Sequence, residues 1–158
     1  MVTSHRSASR ANVRRWLTEA EEARVVEALH AAERGNSGEV RVHLAEACPG
    51  DALLRAKSAF ETLGMRATRA DTGVLLFVAP KARKVAVYAG KGVYGGDTPR
   101  TWQRVVDVVA IAARKGNLAV RIAAALELIG DILRKTMPSV DEAGNELPDE
   151  VTAETPEV

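Results

Sequence analysis

The sequence predicts an α/β fold with a small mixed sheet and the element order α-β-α-β-β-α-α. Residues 74–78 form an uninterrupted apolar run, which is typical of a strand covered by helices on both faces. A basic turn at residues 80–84 and a second apolar run follow, and together they indicate a hairpin. Apolar residues recur at helical spacing on either side of this hairpin. We therefore expect the hairpin at the centre of the fold and helices around it.

Two helices are predicted before the hairpin. Thr18 followed by Glu21 is a capping-box pattern, which starts a helix that we expect to run to Arg34. Asp51 is the expected N-cap of a second helix, and Gly64 is expected to close it.

The segment between these helices is predicted to be a short edge strand. Apolar side chains at 40, 42 and 44 alternate with Arg41 and His43, so one face is apolar and the other polar. This alternation predicts that His43 is a surface histidine and neither a metal ligand nor a base.

Two further helices are predicted after the hairpin. Thr98-Pro99 combines a capping hydroxyl with a proline at the first helical position. Gly116-Asn117 separates this third helix from a fourth, which ends at Pro138.

One end of the predicted sheet collects the candidate site residues. A β-α-β unit is right-handed with parallel strands, and the hairpin adds an antiparallel strand. Glu39, Asp71 and the loop Gly90-Lys91-Gly92 then fall at the same end, and Asp97 is expected nearby. If the chain has a functional site, we expect it at this end of the sheet. The alternative is that Asp71 and Asp97 cap backbone amides and Glu39 is solvated.

Charge divides the chain into three parts. The last twenty residues, 139–158, hold seven acids and no Lys or Arg, whereas the whole chain has a net charge of only +1. We interpret 139–158 as a disordered acidic tail, 1–16 as a flexible basic arm, and 17–138 as the folded domain.

A reducing, cytoplasmic location is expected. The amino terminus lacks the apolar segment of a secretory signal, and no run approaches a membrane span. The single cysteine, Cys48, cannot form an internal disulfide.

Two segments are similar to catalytic or cofactor-binding motifs, but neither fulfils all the requirements of its motif. A cysteine phosphatase loop needs five residues between its cysteine and arginine, but six separate Cys48 from Arg55, so a buried or idle thiol is expected. Gly90 to Gly95 matches the glycine spacing of dinucleotide-binding loops. It follows a hairpin and not a first strand, so turn glycines explain it better.

Several segments resemble the TPM domain, a bacterial and plastid family whose members are often labelled phosphatases. The similarity covers roughly residues 17 to 137 and is carried by four segments: Leu17-Thr18-Glu19-Ala20-Glu21, Ser37-Gly38-Glu39-Val40, Asp71-Thr72-Gly73-Val74-Leu75-Leu76 and Arg83-Lys84-Val85. The resemblance implies a three-layer α/β/α sandwich for a TPM-like domain at 17–138. It also implies, for some members, calcium bound by acids near Glu39 and Asp71. Glu39, Asp71 and Asp97 are therefore the candidate ligands for calcium or magnesium, and with water and backbone carbonyls they make at best a weak site. The hairpin turn and the glycine loop, where the family often has more acids, are basic or neutral here.

Three functions remain open from the sequence. The first is a non-catalytic binding or accessory module with a protein partner, and calcium or magnesium is its candidate cofactor. The second is a metal-dependent phosphatase that uses Glu39, Asp71 and Asp97. The third is electrostatic binding of the basic arm to nucleic acid or to the surface of an anionic membrane. Because no nucleic-acid recognition motif accompanies the arm, a solvated basic surface is the simpler interpretation.

Overall fold

A computed structural model of the chain describes residues 10–67, 70–93, 99–112, 117–139 and 150–156. The four long helices are α1 (Glu19–Glu33), α2 (Ala52–Thr62), α3 (Pro99–Ala112) and α4 (Leu118–Thr136). The strands are β1 (Glu39–Leu44), β2 (Gly73–Ala79), β3 (Lys84–Ala89) and β4 (Val151–Ala153). Residues 10–14 form an additional helical turn, and a 3₁₀ turn, Met65–Ala67, follows α2.

The N-caps of three helices are described, whereas Thr98, the predicted cap of the third helix, lies outside the described residues. The Thr18 hydroxyl accepts a hydrogen bond from the Glu21 amide, and the Glu21 carboxylate accepts one from the Thr18 amide, which completes the predicted capping box. Asp51 and Asn117 cap α2 and α4 by accepting from the amide two residues further on. Each bond satisfies an amide that has no partner inside its helix.

The strands form one mixed sheet in the order β3-β2-β1-β4. β1 is parallel to both β2 and β4, and β2 and β3 form the predicted antiparallel hairpin. Alternate residues of each strand therefore face opposite sides.

The core lies on both faces of the sheet, as the uninterrupted apolar run of β2 predicts. Val74, Leu76 and Val78 pack with α1, α3 and α4. Leu75 and Phe77 pack on the other face with residues of α2. The three-layer α/β sandwich is thus confirmed.

The predicted edge strand is instead an inner strand. β1 lies between β2 and β4, and all six of its residues are buried. The partner on its second side comes from the acidic tail, since Val42 and Leu44 pair with Val151 and Ala153. A three-residue strand is too short to show a repeating pattern in the sequence. The prediction of disorder over the whole of 139–158 is therefore wrong for residues 150–156.

The predicted basic arm is also partly folded. Val13 is 1% exposed and belongs to the core. Arg14 and Arg15 form ion pairs of 2.9 and 2.6 Å with Glu22 and Glu46. Two of the arm's arginines are thus held by acids of the domain, and the interpretation of residues 10–16 as a flexible arm is corrected.

No helix among the described residues has the length and apolar character needed to cross a membrane.

Candidate functional site

Asp71 organises the sheet end that the sequence singled out. Its carboxylate Oδ2 accepts a hydrogen bond of 3.0 Å from the Lys91 amide. Its carbonyl accepts one of 2.9 Å from the Gly92 amide, and Gly90 donates to the carbonyl of Gly73 at 2.8 Å. Residue 71 therefore fastens the loop that follows β3 to the start of β2, as the predicted topology requires.

The backbone around Asp71 is tightly packed. Asp71 has φ 53°, a left-handed conformation that residues other than glycine adopt at some cost. A Cβ on Gly90 would collide with the carbonyl and carboxylate oxygens of Asp71, and a Cβ on Gly92 would collide with the carbonyl oxygen of Ala70. These glycines are required because the loop closes directly on the backbone of Ala70 and Asp71 and on the Asp71 carboxylate.

The two carboxylate oxygens of Asp71 have different surroundings. Oδ2 lies 3.6 Å from Nη1 of Arg66, in addition to its bond from the Lys91 amide. Oδ1 is buried and has no hydrogen-bond partner. A buried oxygen without a partner is rare and costs free energy, so it indicates either a stored strain or a bound group.

The other predicted site residues are placed as follows. Glu39 is the first residue of β1 and pairs in register with Gly73, two residues after Asp71. It is 3% exposed, so the interpretation of Glu39 as a solvated side chain is wrong. Lys91 is exposed. Asp97 lies outside the described residues.

A dense acidic site does not form within the described ranges, since no group of three or more His, Cys, Asp or Glu side chains there could hold a metal ion.

Cys48, 4% exposed, is the buried thiol that the sequence predicted.

A second polar cluster, which the sequence did not reveal, lies where β1 and β4 meet. The ring nitrogen Nδ1 of His43 is 2.7 Å from Oγ1 of Thr152, and Nε2 is 3.1 Å from Oε2 of Glu154. Arg55 donates to the same carboxylate oxygen at 2.8 Å. The expectation of a surface His43 is therefore wrong, because His43 lies in register between Phe77 of β2 and Thr152 of β4 and is only 7% exposed.

An adjoining ion cluster joins the amino-terminal segment to the hairpin. The Glu46 carboxylate lies 2.6 Å from Arg15 and 3.1 Å from Lys81. The hydrogen bond from Arg15 is the main reason that the pKa of Glu46 falls to about 2. Glu46 thus stays ionised in mildly acidic solution.

We expect acid to loosen β4. Burial raises the pKa of Glu154, but hydrogen bonds from His43 and Arg55 outweigh burial and leave this pKa below its usual 4.5. Since the folded-state pKa is depressed, the stabilisation is complete above the unfolded-state pKa and is lost as the pH falls through the folded-state value. Amide exchange of Val151–Ala153 should accelerate, relative to that of β2, as the pH falls below 4.5.

Glu154→Gln is the control for this acid effect. It keeps the shape of the side chain but removes its titration, so the additional acceleration should disappear. Equal pH dependence in both proteins would show that Glu154 does not hold β4.

Comparison with known proteins agrees with the fold. A family model described as the TPM domain matches residues 13–132. The structure is similar to the NMR structure of the BA42 protein from the psychrophilic bacterium Bizionia argentinensis, with 29% identity over 88% of this chain and 96% of that one and a TM-score of 0.79. It is also similar in fold to the N-terminal domain of the cg2496 protein from Corynebacterium glutamicum, with 12% identity over 83% of this chain and 78% of that one and a TM-score of 0.58.

Among curated proteins, none matches the chain. The family model, by contrast, spans well over half of the 158 residues. The chain therefore belongs to the TPM domain family.

Proposed function

We propose that this TPM domain is a non-catalytic binding module that takes up a divalent cation weakly at the Asp71 end of its sheet, where it engages a protein partner. The observation that carries the proposal is Oδ1 of Asp71, which is buried without a hydrogen-bond partner. A cation would supply the missing interaction. The resemblance to metal-binding members of the family supports the same position.

The chemistry of the donor set argues for low affinity. Ca²⁺ takes six to eight oxygen ligands, whereas no group of three or more His, Cys, Asp or Glu side chains among the described residues could hold a metal ion. Arg66, 3.6 Å from Oδ2, already neutralises part of the Asp71 charge and opposes a second cation. We therefore expect dissociation constants in the millimolar range, as for the weakest extracellular calcium modules.

The non-catalytic assignment rests on how the reactive side chains are used. Cys48 is buried, and both ring nitrogens of His43 have polar partners. Cys48 and His43 are only 4% and 7% exposed, so little of either side chain is accessible to act on a substrate as a nucleophile or a base. The phosphatase alternative would therefore depend on metal-activated water at Asp71.

Calorimetric titration with Ca²⁺ and with Mg²⁺ tests the proposal. Asp71→Asn should weaken binding at least about tenfold, because the amide removes the negative charge. Asp131→Asn is the matched control, since Asp131 is also an aspartate paired with an arginine, Arg134, at 2.9 Å, but belongs to α4.

Two outcomes would contradict this function. Equal binding by the wild type and Asp71→Asn would place the cation elsewhere. Metal-dependent hydrolysis of a chromogenic phosphate ester that Asp71→Asn abolishes would make the site catalytic.

A further inference from the structure

A cavity of about 290 Å³ opens at the end of the sheet opposite Asp71. It lies among the amino-terminal segment, the β2–β3 hairpin, the end of α3 and the start of α4. Its apolar wall includes Trp16, Val78, Val85, Val109 and Leu118. Small-molecule sites are concave, mostly apolar and supplied with a few polar groups, and this cavity has that composition at the small end of the size range.

The charged residues that line the cavity all carry the same sign. They are Arg15, Arg83, Lys84 and Arg121, and no acid is among the lining residues. Two of these cations have other partners: Arg15 pairs with Glu46, and Lys84 donates to the carbonyls of Cys48 and Gly50 at 2.9 and 2.7 Å. Arg83 and Arg121 are therefore the two cations of the cavity that can contact a ligand.

Arg121 is the most informative of the four. It is 8% exposed, and its buried Nε has no hydrogen-bond partner. Among the described residues its guanidinium has neither an ion pair nor a side-chain hydrogen bond. A buried guanidinium without an anion is costly, and arginines at such positions normally have a carboxylate or phosphate partner.

A second unsatisfied donor lines the same cavity. Nε1 of the Trp16 indole is buried and has no acceptor. Indole and guanidinium nitrogens only donate hydrogen bonds, so the group that is missing must accept them. An anionic head group carries such acceptor oxygens, and Trp16 and Arg121 line the same cavity.

The hairpin turn provides a third, independent indication. Arg83 has φ 55°, a conformation that favours glycine. Strained residues of this kind concentrate at functional sites, because only an advantage elsewhere retains them. Here the strain places an exposed guanidinium at the cavity.

We propose that this cavity binds a small organic anion, with its carboxylate or phosphate-type head on Arg121 and Trp16 and its apolar body against Val78, Val85 and Leu118. This site is separate from the cation site at Asp71 and does not depend on it.

Benzoate and phenylphosphonate are suitable probes because they share one apolar ring and differ in the anionic head. The indole N–H resonance of Trp16 is the readout, assigned with the variant Trp102→Phe, which removes the other tryptophan. We expect a saturable shift of this resonance with at least one of the two anions. Benzyl alcohol, which keeps the ring without the charge, should bind at least about tenfold more weakly.

Arg121→Met tests the anion contact, and Arg104→Met, an exposed arginine on α3, is its matched control. We expect Arg121→Met to weaken binding at least about tenfold while the midpoint of thermal unfolding stays equal or rises, because an unpaired buried charge is removed. Arg104→Met should change neither quantity.

The results distinguish a carboxylate ligand from a phosphate-type ligand, and some results would overturn the proposal. A response to benzoate alone assigns carboxylates, and a response to phenylphosphonate alone assigns phosphate-type heads. The proposal is overturned if neither anion shifts the Trp16 resonance, or if binding survives Arg121→Met. Inorganic phosphate that binds as tightly as phenylphosphonate would also overturn it, since the apolar body would then contribute nothing.

Discussion

Gly92→Ala should lower the free energy of unfolding by about 2–3 kcal/mol, the usual upper range for forcing an additional methyl group into a packed site. The new Cβ would overlap the backbone carbonyl oxygen of Ala70, which cannot rotate away as the end of a side chain could. The loop would have to withdraw from Asp71, so the bond from the Gly92 amide to the Asp71 carbonyl would be lost as well. In a chain of this size, the midpoint of thermal unfolding should fall by about 5–10 °C.

Gly50→Ala is the control, because it introduces backbone strain without a steric collision. Gly50 has φ 82°, and nothing lies within 4 Å of a Cβ built on it. The control should therefore cost only about 1 kcal/mol, the price of a left-handed alanine. Equal losses in the two variants would show that the loop does not close on Asp71 as described.

Removing residues 150–158 should destabilise the domain by about 4 kcal/mol, the sum expected for one buried valine and a few hydrogen bonds. Val151 and Ala153 are 4% and 8% exposed against β1. The truncation also removes the contacts of the His43 ring with Thr152 and Glu154. Chemical denaturation of the full and truncated chains measures the difference.

Removal of residues 157–158 alone is the control for this truncation. It takes away Glu157, one acid of the tail, but leaves β4 in place. We expect its stability to equal that of the full chain. The chain that lacks residues 150–158 should also self-associate at high concentration, because β1 becomes an exposed edge strand. A truncated chain as stable as the full one would refute the pairing of β4 with β1.

Local signals in the sequence predicted most of the fold. Thr18 and Asp51 cap the helices that they were expected to cap, since capping depends on residues two or three positions away. The uninterrupted apolar run of β2 is also a local signal, and it predicted a strand with helices on both faces. The glycine loop could be placed near Asp71 because parallel and antiparallel connections determine which strand ends meet.

The features that the sequence missed depend on contacts between distant residues. β4 pairs with β1 across more than a hundred positions, and an acidic composition conceals its three residues. His43 was expected at the surface because its neighbours Thr152 and Glu154 come from a strand more than a hundred positions away that was not recognised. Arg121 did leave a signal, a lone cation among apolar residues at the start of α4, but its meaning depends on Trp16 and the hairpin meeting it in the fold.

A calcium titration followed through the amide resonance of each residue tests whether Asp71 anchors a cation-binding end of the sheet. We expect saturable shifts confined to Glu39, to Asp71 and to residues 90–93, which are lost in Asp71→Asn and retained in Asp131→Asn. Shifts that spread over the acidic surface, or that Asp71→Asn leaves unchanged, would contradict this expectation.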